Sequence, residues 1–506
     1  MASTVVAAID IATTHNNPLS DDVQATAHLL ISDLELAIAL LQESPTHPHL
    51  DEQREQYADM VTRCRSAVAT QRKVPNEILV EIFCLAVDFP LVIQPNWNII
   101  RRDPPWNISH VCSRWRRVLF STSEVWSSLV LSAGSKDWQR RSIRIARDIF
   151  ARSSGNRLLS LEADLYLYSS WREKHESSLS KLIVSYAGRW KDLNLGTFVQ
   201  TRLKFKPAEL ASPSGPFTSL ESLRVSPNCT SSLSVFSGAP MLRNVTLNTS
   251  KPSSEIFQLP LGNLTVLRIY APCLDPTTLL AILQRCTSVI LCVLPPGRDT
   301  NQPSLIVKST TSTTLCSLQH LHLTTKKDHI DALSFLSFLD LPALVSFRLL
   351  DMYVDNTVSD WRHWRAGFTP SIVRSRRLER LTLGTIESSD LLNLMEQTPT
   401  LVELELVSHL PRPVRRRVAS GELVPKLTNL TCGIYGMDCL EGHVWMLRRR
   451  RGVHVDFAGL VSEVSGRVTD IKVVVFRALG APWGRECTVQ SVLALNDEGW
   501  RVRVER

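Results

Sequence analysis

Leu220-Glu-Ser-Leu-Arg-Val225, Leu242-Arg-Asn-Val-Thr-Leu247 and Leu264-Thr-Val-Leu-Arg-Ile269 are the segments that decide the fold. Each places apolar residues at its first, fourth and sixth positions. In an extended chain the fourth and sixth side chains share a face, and the fifth points the other way. The same pattern is read at Trp190-Leu193-Leu195, Cys286-Val289-Leu291, Leu318-Leu321-Leu323, Leu344-Phe347-Leu349, Leu378-Leu381-Leu383, Leu401-Leu404-Leu406 and Leu427-Leu430-Cys432. The steps from 220 to 242, 264 and 286 are each 22 residues. Such a period implies an α/β array with one short strand per unit and a helical or irregular return.

Two further regularities fit this reading. Pro240, Pro342, Pro399 and Pro425 each stand two residues before a first apolar position, where a proline ends the preceding return segment. Return helices are expected at 277–285, capped by Asp275, and at 390–397, capped by Ser388 and Ser389. Longer intervals, 295–314 and 353–375, are expected to be loops on one rim, the second carrying Trp361 and Trp364.

Working outward toward the front, Val74-Pro-Asn-Glu-Ile-Leu-Val-Glu-Ile-Phe83 predicts a helix. Pro75 suits its first turn, and Ile78, Leu79, Ile82 and Phe83 make a wide apolar stripe. A second stretch, Val111-Cys-Ser-Arg-Trp-Arg-Arg-Val-Leu119, predicts another helix, and Glu124-Val-Trp-Ser-Ser-Leu129 a short third one. Together these resemble the F-box, the helical module by which substrate receptors dock on the Skp adaptor of cullin-RING ubiquitin ligases. Val74 stands where the family pattern has Leu, and residues 88–107, rich in proline, lengthen the connection between the halves. The repeats resemble leucine-rich repeats. The combined layout is similar in style to large families of mushroom-forming fungi.

What the resemblance implies is a substrate receptor of an SCF-type (Skp-cullin-F-box) ligase, a non-catalytic adaptor that binds Skp, through it cullin, and an unknown target protein. The adaptor-facing surface or its supporting core would be formed by Val74, Pro75, Ile78, Leu79, Ile82, Phe83, Val111, Cys112, Trp115 and Trp126. A non-ligase repeat scaffold with a degenerate F-box is the alternative. The outward row of the repeat strands reads Asn194, Arg224, Thr246, Arg268, Ile290, His322, Arg348, Thr382, Glu405 and Thr431. Its charged members Arg224, Arg268, His322, Arg348 and Glu405 are the candidate target-binding residues, and the three arginines suit an acidic or phosphorylated partner.

The expected order is a disordered segment (1–20), a helical hairpin (21–73) bracing the F-box (74–131), a helical linker (132–157), an irregular leucine-rich-repeat solenoid (158–439) and a C-terminal cap (440–506). Of the 506 residues 44% are hydrophobic and 21% charged, a folded chain with a formal charge of +8. The basic residues are spread rather than striped with aromatics, so nucleic acid is not an expected partner. Asp33 and Glu35 interrupt the best apolar run, and the N-terminus lacks a basic signal-type region, so neither membrane nor secretion is expected. Eleven cysteines without a C-x-x-C pair fit free thiols in the cytoplasm or nucleus. No phosphate-binding loop, nucleophile elbow or zinc-protease motif occurs in the sequence. Cys432, Cys439 and His443 match no common zinc spacing, and no cofactor is expected.

Overall fold

The computed structural model describes residues 2–15, 19–43, 48–69, 73–94, 104–132, 136–153, 155–163, 172–195, 217–225, 233–248, 254–270, 274–295, 312–325, 333, 335–351, 374–384, 386–434, 437–450, 473–478, 496 and 501–505. The rim aromatics Trp361 and Trp364 lie outside them. The chain is α/β with parallel strands, and it divides into two compact units. Unit 1 comprises Met1–Leu167 with Lys181–Asp192, and unit 2 the remainder.

Unit 1 opens with three helices, α1 (Ala2–His15), α2 (Asp21–Gln42) and α3 (Pro48–Val68). Disorder was expected before residue 20, but α1 is ordered because Ile9 and Ala12 are buried with Ala27 and Ile31 of α2 and Val61, Cys64 and Ala67 of α3. Helix α2 is, among the described residues, long and apolar enough to cross a membrane by length and composition. A reading based on uninterrupted apolar runs passes over it. Leu29, Leu36 and Leu40 lie on its exposed side.

Helix α4 (Asn76–Ala86) follows, with Pro75 one position earlier than expected, at the N-cap. The interval read as a loop instead holds a short strand, β1 (Leu91–Ile93), and the start of α5 (Pro104–Val111). After α6 (Ser113–Ser121) comes one 3-10 turn at Ser123–Trp126, and residues 128–131 are strand β2 (Ser128–Leu131) rather than the end of a helix. Helix α7 (Lys136–Arg152) buries Trp138, Ile143 and Ile149 while Arg141, Arg144 and Arg147 stay exposed, an amphipathic division. β1, β2 and β3 (Leu159–Ala163) pair in parallel, so parallel pairing begins well before the first predicted repeat.

One device recurs in unit 1. Trp126 Nε1 donates to the Leu119 carbonyl at 2.9 Å, and Trp190 Nε1 to the Ile183 carbonyl at 2.7 Å. Both indoles are fully buried, and each N–H adds a second donor to a carbonyl near the C-terminal end of the preceding helix that also accepts the amide three residues on. Helix α8 (Arg172–Ser185) and strand β4 (Trp190–Leu195) span the boundary between units.

In unit 2 the parallel strands are β5 (Ser222–Val225), β6 (Asn244–Asn248), β7 (Val266–Tyr270), β8 (Leu291–Leu294), β10 (His320–Thr325), β12 (Ser346–Asp351), β13 (Arg380–Leu383), β14 (Glu403–Leu406), β15 (Asn429–Ile434), β16 (Val473–Ala478) and β17 (Arg501–Glu505), in that spatial order. The small strands β9 (Thr313–Thr314) and β11 (Leu339–Asp340) pair separately. The last two strands extend the parallel pairing into the segment expected to cap it. Helices α9 (Pro276–Arg285), α10 (Ser388–Gln397), α11 (Arg412–Ala419) and α12 (Met437–Arg450) fill the longer returns. Asp275 caps α9 as expected, accepting from Thr278 N at 2.9 Å; the N-cap of α10 is Glu387, not a serine, and its side chain makes no cap bond.

The entrances of β5, β6, β7, β10, β12, β13, β14 and β15 are built alike. A turn closes on the first apolar residue, Leu242 N bonding Ala239 O, Leu344 N bonding Leu341 O, Leu401 N bonding Thr398 O and Leu427 N bonding Val424 O. The four prolines therefore occupy the second position of a turn, where a fixed φ is an advantage, rather than terminating a helix. One carbonyl then accepts two successive amides of the next unit. Glu221 O takes Arg243 N and Asn244 N, and the relay continues through the carbonyls of Arg243, Thr265, Ile290, Gln319, Val345, Glu379 and Val402.

That relay corrects one expectation. Ile290 is equivalent to Gln319 and sits at a strand entrance, not in the outward row. Arg268 pairs with Val293, which pairs with His322, so the repeat reads Val289-x-x-Cys292-x-Leu294, with all three buried. Helix α9 lengthens this return, and Cys286 is its C-cap residue. The step from 264 is thus 25 residues to 289 rather than 22 to 286.

The turn after α11 contains Val424 in a left-handed conformation, φ 42°, unfavourable for a β-branched residue. Arg450, buried at the end of α12, donates to the carbonyls of Val418 (2.8 Å), Val424 (2.9 Å) and Pro425 (3.0 Å). Replacing it by Met removes all three bonds, although Val418 and Val424 each keep a backbone amide, from Gly421 and Leu427. Arg450→Met is expected to lower the stability of unit 2 by about 3 kcal/mol, read as a downward shift of its calorimetric transition.

Candidate functional site

The motif residues of unit 1 divide sharply between interior and surface. Leu79 is 1% and Phe83 and Trp126 are 0% exposed, whereas Ile78 and Ile82 are each 44%, Leu85 87% and Val111 59% exposed. On α4 the exposed positions 78, 82 and 85 follow one another at helical spacing, and 79 and 83 form the opposite, inward line. Pro75 is exposed, and Val74, Cys112 and Trp115 are half-buried.

The second stretch holds the first in place. Trp115 packs on Phe83, ring centres 5.3 Å apart. Cys112 is the N-cap of α6, its sulfur accepting from Trp115 N at 3.4 Å, so its role is structural. Arg114 reaches back to α4, donating to the Val74 carbonyl at 2.5 Å and to Asn76 Oδ1 at 2.8 Å. Trp126 is enclosed by Trp106 at 5.9 Å and Phe120 at 5.6 Å, with the Arg152 guanidinium 5.3 Å from its ring. Leu85, on the exposed side, was not among the candidates; its position three residues after Ile82 is the signal that marks it.

The second candidate surface is the outward face of the unit 2 strands. Register places Arg224 beside Thr246 and Thr246 beside Arg268. His322 stands beside Arg348, Arg348 beside Thr382, Thr382 beside Glu405 and Glu405 beside Thr431. Asn194 belongs to β4, at the unit boundary. A parallel row two residues earlier was missed. It carries His320, Ser346, Arg380 and Glu403, because the outward residue preceding the fourth apolar position shares the same face. Burial and the Arg348 charge both hold the His322 imidazole below the usual histidine range, with His320, Arg268 and Arg380 adding to the effect.

Among the described residues no three His, Cys, Asp or Glu side chains converge to form a metal site, and every cysteine is free. Cys439 and His443 do approach, but Arg415 shares their setting. His443 Nδ1 donates to the Cys439 carbonyl at 2.6 Å and Arg415 Nη1 to the same oxygen at 2.9 Å. Gly442 leaves room for that guanidinium, which a Cβ would displace from its present position. Arg415 is thus tethered, and Arg417 nearby pairs with Glu396 and Glu422, each at 2.5 Å.

No family model matches the chain, and no curated protein matches it.

Two expected outcomes follow from the geometry. Phe83→Ala empties a packed site and should cost about 3–4 kcal/mol, while Ile78→Ala, on the surface, should stay within about 0.5 kcal/mol; thermal unfolding of the two variants reads the contrast. Burial depresses the His443 imidazole to about 4. An unfolded histidine takes its proton near pH ~6.5, so the unfolded state binds more protons than the folded one between these values. Stability should fall as pH drops from about 6.5 to about 4, by roughly 3 kcal/mol from this group, and His443→Leu should remove that part of the slope in denaturation curves.

Proposed function

We propose that the chain is the substrate-recognition subunit of an SCF-type ubiquitin ligase. The F-box would span 74–131 and dock on the Skp adaptor, and through it on cullin. The parallel strands of unit 2 would form an irregular leucine-rich-repeat solenoid whose outward rows bind a target protein. The single observation that carries the docking assignment is the exposed apolar line Ile78, Ile82 and Leu85 with Val111, set on a helix whose inward line is locked by Phe83, Trp115 and Arg114. Exposed large apolar residues grouped on one helix face mark an interaction surface. The repeat reading is supported by one strand per unit, parallel pairing, and the turn and shared carbonyl that recur at most of the described entrances.

In this assignment Ile78, Ile82, Leu85, Val111 and Pro75 meet the adaptor, while Leu79, Phe83, Cys112, Trp115 and Trp126 support them. The receptor supplies no catalytic group. It raises the effective concentration of target beside the ubiquitin-charged partner. Free cysteines agree with a cytoplasmic or nuclear setting. The Val74 departure and the absence of a family match favour, as the second reading, a scaffold whose F-box no longer recruits cullin.

The test is co-purification of the full chain with the Skp adaptor, beside an Ile78→Glu, Ile82→Glu double variant. The expected result is recovery of Skp by the parent chain and at least a tenfold loss for the variant, with helical circular dichroism unchanged. Equal recovery by both chains would refute the docking face, and no recovery by either would select the scaffold.

A further inference from the structure

Helix α2 has two apolar faces, and the fold uses one of them. Ala27 and Ile31 are buried with α1 and α3, and Leu30, Leu34 and Ile38 pack on the same cluster. The other side carries Asp22, Thr26, Leu29, Asp33, Leu36, Leu40 and Glu43, all of them exposed. Their spacing alternates between four and three residues, so they follow one line along the whole helix, as the seam of a helix that packs on a second helix does. Leu29, Leu36 and Leu40 are 68%, 62% and 59% exposed. Large apolar residues grouped on one line, outside the protein's own core, mark a surface for a partner.

The seam is also acidic, and its acids differ from the others on the helix. Helix α2 contains no Lys or Arg. Off the seam, Asp21 pairs with Lys73 at 3.6 Å and Glu35 with Arg65 at 2.6 Å. On the seam, Asp22, Asp33 and Glu43 form no ion pair among the described residues. They stand at the two ends and in the middle of the leucine line, 11 and 10 residues apart, or about 16 Å each along the axis. This arrangement disfavours two occupants. A second copy, packed seam to seam so that its leucines meet, would set Asp33 against Asp33 and turn Asp22 and Glu43 toward carboxylates, whichever way it ran. An uncharged apolar helix or a hydrocarbon surface would strip water from three carboxylates and return nothing.

We propose that this seam receives an amphipathic helix of a partner protein whose own apolar line is interrupted by Lys or Arg at three points with the same spacing. The aliphatic residues between those points pack among Leu29, Leu36 and Leu40, and the cations donate to Asp22, Asp33 and Glu43. Such pairs act on choice of partner more than on raw affinity, because a mismatched helix leaves a carboxylate covered and unpaired. The whole chain carries a formal charge of +8, so bulk attraction does not draw a basic helix to it; the local seam does. The proposal holds for the ligase and the scaffold alike, since it uses neither the α4 line nor the outward strand rows.

The test is fluorescence anisotropy of the full chain with labelled synthetic helical peptides as long as α2. One peptide carries Lys at the three matched points and Leu or Ala between them, made with both orders of the spacing; matched copies carry Glu at the three points, or Ser in place of Leu. Asp33→Lys and Leu36→Ser are compared with Glu55→Lys, which reverses an exposed acid of α3 away from the seam. All three sites are exposed, so the variants keep the fold, and circular dichroism checks this. The expected result is saturable binding of the Lys peptide in at least one order, about tenfold or more weaker for the Glu and Ser copies. Binding should fall about tenfold in Asp33→Lys and in Leu36→Ser and stay unchanged in Glu55→Lys, and Asp33→Lys should prefer a peptide whose central Lys is Glu. No saturable binding in either order would overturn the proposal, as would binding indifferent to Asp33→Lys and Leu36→Ser or weakened equally by Glu55→Lys. A parent dimer in sedimentation that Leu36→Ser abolishes would assign the seam to a second copy, and flotation with phosphatidylcholine–phosphatidylserine vesicles that Leu36→Ser abolishes would assign it to lipid; either would overturn the proposal too.

Discussion

In unit 2 everything depends on how one parallel strand hands over to the next. A parallel pair cannot be joined by a tight hairpin, so the chain must leave the sheet and return for each strand. For the sheet strands from β6 to β15 the point of return is fixed by the shared carbonyl at the entrance, which accepts two amides of the following unit and so sets register to the residue. With register set, the fourth and sixth positions of each unit stack into one apolar core; Leu223, Val245, Leu267, Cys292, Leu321, Phe347, Leu381, Leu404 and Leu430 are each buried. A slip of one residue would expose that whole set. The outward positions take no part in this, so their chemistry is free to vary with function.

Much of this was legible in the sequence, because period and apolar spacing report directly on strands that share a core. The error at Ile290 shows where the method ends. Cys286-Val289-Leu291 satisfies the pattern as well as Val289-Cys292-Leu294 does, and only the length of helix α9 decides between them. Helix α1 was missed for another reason. Its order comes from Ile9 and Ala12 docking on two helices whose own faces must be known first. The prolines were read correctly as punctuation but assigned to the wrong grammar, since a turn and a helix stop differ only in what the next amide bonds.

The F-box-like stretch teaches a complementary lesson. Its pattern groups residues that do two different things, and spacing alone cannot sort them. Leu79 and Ile78 are adjacent and chemically alike, yet one is in the interior and the other is on the surface. Trp115 on Phe83, Cys112 capping α6 and Arg114 gripping the Val74 carbonyl make the second half of the motif a brace for the first. A rigid helix presenting an apolar line is what a partner surface requires, since little entropy is lost on docking. The outward face of unit 2 carries polar and charged residues in place of apolar area. Its second row escaped notice because only the fifth position of each unit was read as outward.

The docking role proposed for the exposed line on α4 is tested most directly by hydrogen–deuterium exchange of the full chain with and without purified Skp adaptor. The account predicts slower amide exchange over 76–86 and around Val111 when the adaptor is present, with the inward elements already protected in both states. Exchange over 76–86 that is identical with and without saturating adaptor would contradict it.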